Sequence, residues 1–296
     1  MTKSCCYKDL VESNLTEILL DGMEKKMLSE GKADATISKY LRDASRFLDY
    51  AEAGIKGKDA CISQENISEY RDRLSEKYRK RSVNSMLAGV NYLIGYCGRD
   101  DLKMQTYRIQ RESFRDDERE LTLDEYRRLI DTAAREGKDR LCMIMLTLGS
   151  TGIRVSELPF ITVESLISKT ASVSLKGKTR QVILPEPLCV RLADYAAGKG
   201  IESGSIFITK GGRPVDRTNI LHDMKKLCKN ARVDPKKVHP HNLRHLFAAT
   251  YYDKYRDLAH LADILGHSNV NTTRIYTAVT RKELTKNIEN LGLVSI

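Results

Sequence analysis

The sequence predicts a mainly α-helical protein of two domains, with one small β-hairpin in the second domain. Three observations indicate this fold class. Apolar residues recur at helical spacing along most of the chain, one stretch alternates like two short strands, and 296 residues fit two domains at about 100–200 residues each. We expect a helical domain over residues 1–111, a linker over 112–119 and an α+β domain over 120–296, with a last helix from about residue 281.

Three amphipathic helices are predicted in the first domain. The stretch "ADATISKYLRDASRFLDYAEAG" has an apolar face, Asp34 or Thr36 as its cap, and Gly54 at its end. A second helix, "SQENISEYRDRLSEKY", is capped by Ser63. A third begins at Ser82 in "SVNSMLAGVNYLIGYCGR", and its inner face is formed by Met86, Leu87, Val90, Leu93 and Ile94.

The second domain is predicted to open with a capped helix. Thr122 is followed three residues later by Glu125, which is the spacing of a capping box. A buried helix in "RLCMIMLTLGSTG" then ends near Gly152. The stretch "ASVSLKGKTRQVILP" is typical of a hairpin with its turn at Lys176–Thr179. Further helices are expected in "PLCVRLADYAAGKG", "RTNILHDMKKLCKNA", "HNLRHLFAATYYDKY", "DLAHLADILGH" and "TRKELTKNIENLG".

Composition narrows the class of partner. The formal net charge is +10, and a basic balance of this size favours a polyanion such as nucleic acid. No apolar run reaches the roughly 18–20 residues that span a bilayer, and the start has no secretion signal. The seven cysteines are scattered without a C-x-x-C pair, which favours reduced thiols in the cytoplasm.

A basic run lies at the junction of the second and third helices, in "KYRKRS". Side chains and a helix N-terminus at such a junction can grip phosphates, although charge runs are more often solvated helix ends. The candidate DNA contacts there are Lys77, Arg79, Lys80, Arg81, Ser82 and Asn84.

The second domain also carries a series of polar residues near the ends of predicted elements. Arg154 follows the buried helix, and Lys176 lies on the hairpin. His241 and Arg244 are three residues apart and therefore share a helix face, whereas His245 is turned about 100° away from them. His267 follows the last of these helices. Tyr276 comes nine residues after His267.

These residues lie in motifs that resemble those of the tyrosine recombinases, also called the phage-integrase or Xer-like recombinases. The motifs are "TGIRVSEL", the hairpin "LKGKTRQVILP", "HPHNLRHLFA" and "LGHSNVNTTRIYT". The first domain is similar, more loosely, to the SAM-like core-binding domain of that family. The resemblance implies a recombinase catalytic domain over residues 120–296.

The chemistry implied by the resemblance is cleavage and rejoining of DNA through a 3′-phosphotyrosine. A tyrosine can hold the phosphate covalently, and fixed cations can stabilise the charge of the transition state. The resemblance implies Tyr276 as nucleophile and Lys176 as general acid, with Lys178 as a rival. Arg154, His241, Arg244 and His267 would contact the phosphate. Glu157 and His245 would contact these phosphate-binding residues and not the phosphate itself.

Each of these residues also has a simpler reading. Tyr276 could be an ordinary half-buried aromatic, Arg154 a helix C-cap, Lys176 a solvated turn residue and Glu157 a surface residue. His239 precedes Pro240 and is expected outside the helix. A metal site formed by the three histidines of "HPHNLRH" is disfavoured, because the run holds no cysteine or carboxylate and does hold Arg244. We expect neither a metal nor another cofactor.

The resemblance further implies double-stranded DNA with inverted half-sites as the partner, a dimer on each site and a tetramer in synapsis. Two other functions fit the same fold: DNA relaxation of the type IB topoisomerase kind, and DNA binding without catalysis. Integration, excision, inversion and dimer resolution all remain open as the biological role.

Overall fold

The computed structural model describes residues 15–54, 64–109, 120–175, 178–209 and 211–266, and residues 273, 285 and 289–291. The chain divides into two compact units, Met1–Arg111 and Glu112–Ile296. The predicted linker over 112–119, and almost all of the helix predicted from residue 281, lie outside the described residues. Each unit is described by itself below.

The first unit is built from helices α1 (Leu15–Ser29), α2 (Asp34–Gly54), α3 (Gln64–Lys77) and α4 (Lys80–Tyr96), followed by a 3-10 turn at Asp100–Leu102. Helix α2 packs against α1 and α4. Its predicted apolar face is confirmed, since Ile37, Phe47 and Leu48 are buried in the core of the unit.

Helix α4 begins at Lys80, two residues earlier than the sequence predicts. Arg79 is extended and its carbonyl accepts the N–H groups of Ser82 and Val83, so Lys80 and Arg81 belong to the first turn. The inner face differs at one position, because Val83 is buried and Met86 only half-buried.

Two asparagines of α4 hold the segment that follows it. The Asn84 amide donates to the carbonyl of Tyr107 and accepts from its N–H, both at 2.8 Å. Asn91 forms the same pair of bonds with Met104, at 2.9 and 2.8 Å. These paired bonds satisfy backbone groups that have no strand or helix partner. They assign the amide of Asn84 to an internal contact, which argues against its predicted role in reading DNA.

The second unit contains α5 (Leu123–Arg135), α6 (Asp139–Thr151), a 3-10 helix (Val155–Phe160), α7 (Val163–Ser168), β1 (Thr170–Leu175) and β2 (Lys178–Ile183). It continues with α8 (Glu186–Gly198), α9 (Arg217–Ala231), α10 (Pro240–Tyr255) and α11 (Leu258–Leu265). Helix α6 packs against α5, α8, α9 and α10. A mainly helical chain with a small hairpin is therefore confirmed.

Short sequence motifs predicted the start of α5 and the end of α6 correctly. Thr122 accepts from the N–H of Glu125, and Glu125 accepts from the N–H of Thr122, so the predicted capping box is present. Helix α6 ends at Gly152, whose φ of 66° lies in the left-handed region. A Cβ there would come within 2.4 Å of Phe247. Position 152 therefore needs glycine for its backbone conformation and for the close approach of α10.

The two strands pair antiparallel, with Leu175 opposite Lys178 and Val173 opposite Arg180. The prediction of a turn at Lys176–Thr179 was too wide, because the strand ladder includes Lys178 and Thr179. Val173 and Val182 are buried in the core of the unit, so one face of the hairpin packs inward. Along the described stretches, no helix is both long and apolar enough to cross a bilayer.

Candidate active site

Arg154 lies directly after the end of α6, at the start of the 3-10 helix. Its backbone is extended, with φ −77° and ψ 151°. Its N–H donates to Oε2 of Glu157 at 2.8 Å, and its guanidinium donates to Oε1 of the same carboxylate at 3.2 Å. The C-cap of α6 is Gly152 rather than Arg154. The side chain of Arg154 is 43% exposed, so it is anchored by Glu157 at one side and accessible to a ligand.

Glu157 is a buried carboxylate, only 2% exposed. In addition to Arg154, it accepts from the guanidinium of Arg180 at 2.7 Å. The simpler reading of Glu157 as a surface residue is therefore wrong. A buried carboxylate between two guanidinium groups orients both of them through charge-assisted hydrogen bonds.

Arg244 is the largest fully buried side chain among the described residues, with 1% exposed. Its Nη1 donates to the carbonyl of Gly152, and its Nη2 to the carbonyl of Leu265, each at 2.7 Å. These bonds join α10 to the end of α6 and to the end of α11. Arg244 is therefore bound to one carbonyl that lies two residues before Arg154 in the chain and to another that lies two residues before His267.

His241 lies on the first turn of α10 and is exposed. Its pKa is lowered by desolvation and by the positive charges of Arg244, His239 and Arg154. The imidazole is therefore neutral at neutral pH, and it can either donate or accept a hydrogen bond. His241 and Arg244 are three residues apart on α10, and Arg244 binds the carbonyl of Gly152, two residues before Arg154, so the three residues belong to one region of the unit.

His245 contacts His241 instead of turning away from it. The two rings meet edge to face with their centroids 4.3 Å apart. The prediction of a face about 100° away was wrong for His241, because residues four apart on a helix are neighbours. His239 lies outside the helix as predicted. It is the N-cap of α10, and its Nδ1 accepts from the N–H of Asn242 at 3.3 Å.

Sequence reasoning missed Arg180, which lies on β2. It is 16% exposed and bridges Glu157 to the carbonyl of Ile264, to which its Nη1 donates at 2.8 Å. Burial lowers its pKa and the charge of Glu157 opposes that shift; an arginine stays charged regardless. Strand alternation was the available signal, because Arg180 shares a strand face with Val182, which is buried.

Three predicted site residues, Lys176, His267 and Tyr276, lie outside the described residues. Lys178 is the first residue of β2. Of the predicted basic run in the first unit, Lys77, Arg79, Lys80, Arg81 and Ser82 are all exposed. Within the described stretches, no group of three or more histidine, cysteine or acidic side chains is arranged to hold a metal ion.

The phage integrase family matches residues 119–283, which is more than half of the chain. The chain belongs to this family, the tyrosine recombinases. The recombinase is 27% identical over 292 residues to the tyrosine recombinase XerA of Pyrococcus furiosus, covering 96% of this chain and 97% of that relative. It is 28% identical over 294 residues to XerD of Halalkalibacterium halodurans, covering 93% and 96%. It is an enzyme, a tyrosine-type site-specific DNA recombinase.

Solved structures share the fold. XerH bound to its difH substrate is 18% identical, with a TM-score of 0.69, and the match covers 97% of this chain and 90% of that one. A lambda integrase dimer bound to a core site is 16% identical, with a TM-score of 0.65, covering 88% and 76%. At these identities the likeness shows the fold of the recombinase.

Proposed function

We propose that the recombinase cleaves one DNA strand by attack of the Tyr276 hydroxyl on a phosphodiester. The bond from phosphorus to the 5′-oxygen breaks, and a 3′-phosphotyrosine forms. Lys176 gives its proton to the departing 5′-oxygen, and a neutral imidazole, that of His241 or His267, takes the proton of the Tyr276 hydroxyl; both protons return in the reverse step. A 5′-hydroxyl of a partner strand then attacks the phosphotyrosine and releases Tyr276. Bond energy is conserved in the intermediate, so the reaction needs no external energy source and no cofactor.

The arrangement of Arg154 and Arg244 carries this proposal. Arg244 is bound to the carbonyl of Gly152, two residues before Arg154, and His241 lies three residues before Arg244 on the same helix. The transition state spreads negative charge over the nonbridging phosphate oxygens, and prearranged guanidinium groups stabilise such charge without reorganisation. His241, held neutral, would hydrogen-bond the same phosphate, together with His267.

Excess positive charge supports a phosphate ligand over a metal. Two arginines, Arg154 and Arg180, share the single buried carboxylate of Glu157, and the buried Arg244 donates to the carbonyls of Gly152 and Leu265. This balance attracts an anion and repels a cation. Glu157 is 2% exposed and Arg154 is 43% exposed, so the guanidinium, and not the carboxylate, is accessible to a phosphate.

We propose that the second unit is the catalytic domain and that the first unit is a core-binding domain. XerH is seen with its difH substrate, and lambda integrase as a dimer on a core site and as a tetramer on a Holliday junction. By analogy, this recombinase would bind double-stranded DNA with inverted half-sites, as a dimer per site and a tetramer in synapsis. The exposed basic run from Lys77 to Arg81 would contact the DNA backbone.

Trapping the covalent intermediate tests the proposal. Genomic fragments that become covalently attached to the protein would be sequenced, and the recovered site would be rebuilt as a nicked suicide substrate. The wild-type chain should give a protein–DNA adduct on a denaturing gel, and Tyr276→Phe should bind the site without forming one. Tyr255→Phe is the matched control, since Tyr255 is an exposed tyrosine of α10.

An adduct with Tyr276→Phe at the wild-type level would refute the nucleophile assignment. Two further outcomes separate the alternatives. Relaxation of a supercoiled plasmid without exchange between two sites would indicate a topoisomerase. Binding of the recovered site by the wild-type chain with no adduct would indicate a DNA-binding protein without catalysis.

A further inference from the structure

Arg180 connects three parts of the second unit: strand β2, to which it belongs, the 3-10 helix that carries Glu157, and the end of α11. We propose that it is a positioning residue: it holds the end of α11, where the chain enters the segment of His267 and Tyr276, against Glu157 and therefore against Arg154. This inference rests on the proposed function, because it concerns the placement of that site's residues. Arg180 itself would not contact the DNA.

The contacts of Arg180 are divided between these elements. Its Nη2 donates to Oε2 of Glu157 at 2.7 Å, and that same oxygen accepts the N–H of Arg154 at 2.8 Å. Its Nη1 donates to the carbonyl of Ile264 at 2.8 Å. A single planar group therefore links the Arg154 loop to the last turn of α11, while its own backbone is fixed in β2 opposite Val173.

The end of α11 is held by two arginines from different elements. The last carbonyls of a helix have no partner within the helix. Arg180 binds the carbonyl of Ile264, and Arg244 binds the next one, that of Leu265. Cations are also favoured at a helix C-terminus by the helix dipole. The last turn of α11 is thus held by side chains from β2 and α10.

Gly266 shows how closely Arg180 approaches the exit from α11. Its φ is 64°, and a Cβ at this position would lie 2.5 Å from Cδ and 2.6 Å from Nε of Arg180. The aliphatic stem of Arg180 therefore packs over the backbone of the helix end, one residue before His267. Lysine has a similar stem but only a compact ammonium, which cannot bind a carboxylate and a carbonyl in the same fixed plane.

Arg128 provides a matched control within the same unit. It also donates to backbone carbonyls at the end of a helix, those of Ala231 and Arg232 after α9, at 3.1 and 3.4 Å. The next predicted catalytic residue after that helix end, His241, comes nine residues beyond Arg232, whereas His267 comes directly after Gly266. If arginines of this kind serve only stability, the two positions should behave alike.

The test compares Arg180→Ala, Arg180→Lys and Arg128→Ala on the recovered site. Single-turnover cleavage of a nicked suicide substrate gives the rate, and gel shifts with the unnicked duplex give the affinity. We expect Arg180→Ala to cleave about 100-fold more slowly, the loss typical of a misplacement of about 1 Å, with the affinity changed less than about 3-fold. Arg180→Lys should stay slow, and Arg128→Ala should cleave like the wild type.

Chemical rescue separates positioning from general structural damage. Methylguanidinium, but not methylammonium, should restore part of the cleavage rate of Arg180→Ala by filling the space between Glu157 and the Ile264 carbonyl. A substrate with a 5′-bridging phosphorothiolate, whose sulfur leaves without a proton, should not restore the rate. If that substrate restored the rate, Arg180 would act through the proposed general acid, Lys176, and its assignment to the end of α11 would be overturned.

Wild-type cleavage by Arg180→Ala would overturn the proposal. So would a parallel loss of cleavage, affinity and thermal stability that methylguanidinium does not reverse. If Arg180→Ala does not fold, the cleavage rate and the DNA affinity are compared in Arg180→Lys instead. An unchanged cleavage rate in Arg180→Lys then refutes the proposal. Adduct formation by Tyr276→Phe would instead refute the proposed nucleophile and would leave the effect of Arg180 on the cleavage rate readable.

Discussion

Replacing Glu157 by leucine should destabilise the second unit by about 3–5 kcal/mol, because it leaves a buried guanidinium without its carboxylate. The carboxylate is 2% exposed and Arg180 is 16% exposed, and their atoms are 2.7 Å apart. Solvent therefore does little to screen the pair. Arg154, which is 43% exposed, can turn to water when Glu157 is lost, so the cost falls mainly on Arg180.

The reverse variant, Arg180→Met, should cost less, about 1–3 kcal/mol, because Glu157 keeps Arg154 as a charged partner. The double variant Glu157→Leu/Arg180→Met removes both charges and fills the space with apolar groups. It should therefore be more stable than Glu157→Leu alone. The coupling energy of the cycle should be about 1–3 kcal/mol.

Urea unfolding followed by circular dichroism measures these values, since the chain has no tryptophan. The two units are fitted as separate transitions where both are seen. Arg127→Ala is the control: it breaks the pair with Asp124, whose side chains are 65% and 80% exposed, and should cost less than about 1 kcal/mol. The reasoning is refuted if Glu157→Leu costs no more than this control, or if the two single effects simply add.

Three further predictions follow from the same structure. In thermal unfolding, Gly152→Ala should lose more stability than Gly137→Ala. Both glycines have a positive φ, but of the two only Gly152 would place a Cβ in a clash, 2.4 Å from Phe247. Equal losses would exclude the clash. The pKa of His239 is lowered by burial and by Lys225, so its folded form binds fewer protons and stability should fall as the pH drops below about 6.5. His239→Asn, which can still cap α10, should show a weaker fall, and an unchanged pH profile would contradict this. Lys80→Glu/Arg81→Glu should weaken DNA binding and reduce its salt dependence, whereas normal affinity in gel shifts would remove this run from the interface.

The parts of the fold that the sequence predicted well depend on residues close together in the chain. The capping box of Thr122 spans three residues, and the left-handed end of α6 needs only Gly152. Alternation and helical spacing likewise act over a few residues. These signals gave the approximate limits of most helices and of the hairpin, with errors of two residues at the start of α4 and in the width of the turn. Helices α1 and α7 were not predicted.

The contacts that organise the site could not be predicted in this way. Arg244 is 92 residues from Gly152 and 21 from Leu265, and Arg180 is 84 residues from Ile264. Both bind backbone carbonyls, which every residue possesses, so no residue type marks the partner in the sequence. The motifs indicated that Arg154, His241 and Arg244 act together. Only the fold shows that Arg244 is buried and holds two helix ends, and that Arg154 and His241 are the exposed members.

The burial of Arg244 has a consequence for how its substitution should be interpreted. Loss of cleavage in Arg244→Ala would combine loss of a cation for the phosphate with release of the Gly152 and Leu265 carbonyls, which would remain buried without a donor. Unsatisfied buried groups of this kind cost about 1–3 kcal/mol each. Arg154→Ala lacks this second effect, because the hydrogen bonds of Arg154 to described residues go to Glu157 and its side chain is partly exposed. If both arginines stabilise the transition state, the two variants should lose cleavage rate similarly, but only Arg244→Ala should also lose stability. Comparing unfolding in urea with single-turnover cleavage for the two variants therefore separates the catalytic charge of Arg244 from its role in holding α6 and α11 together.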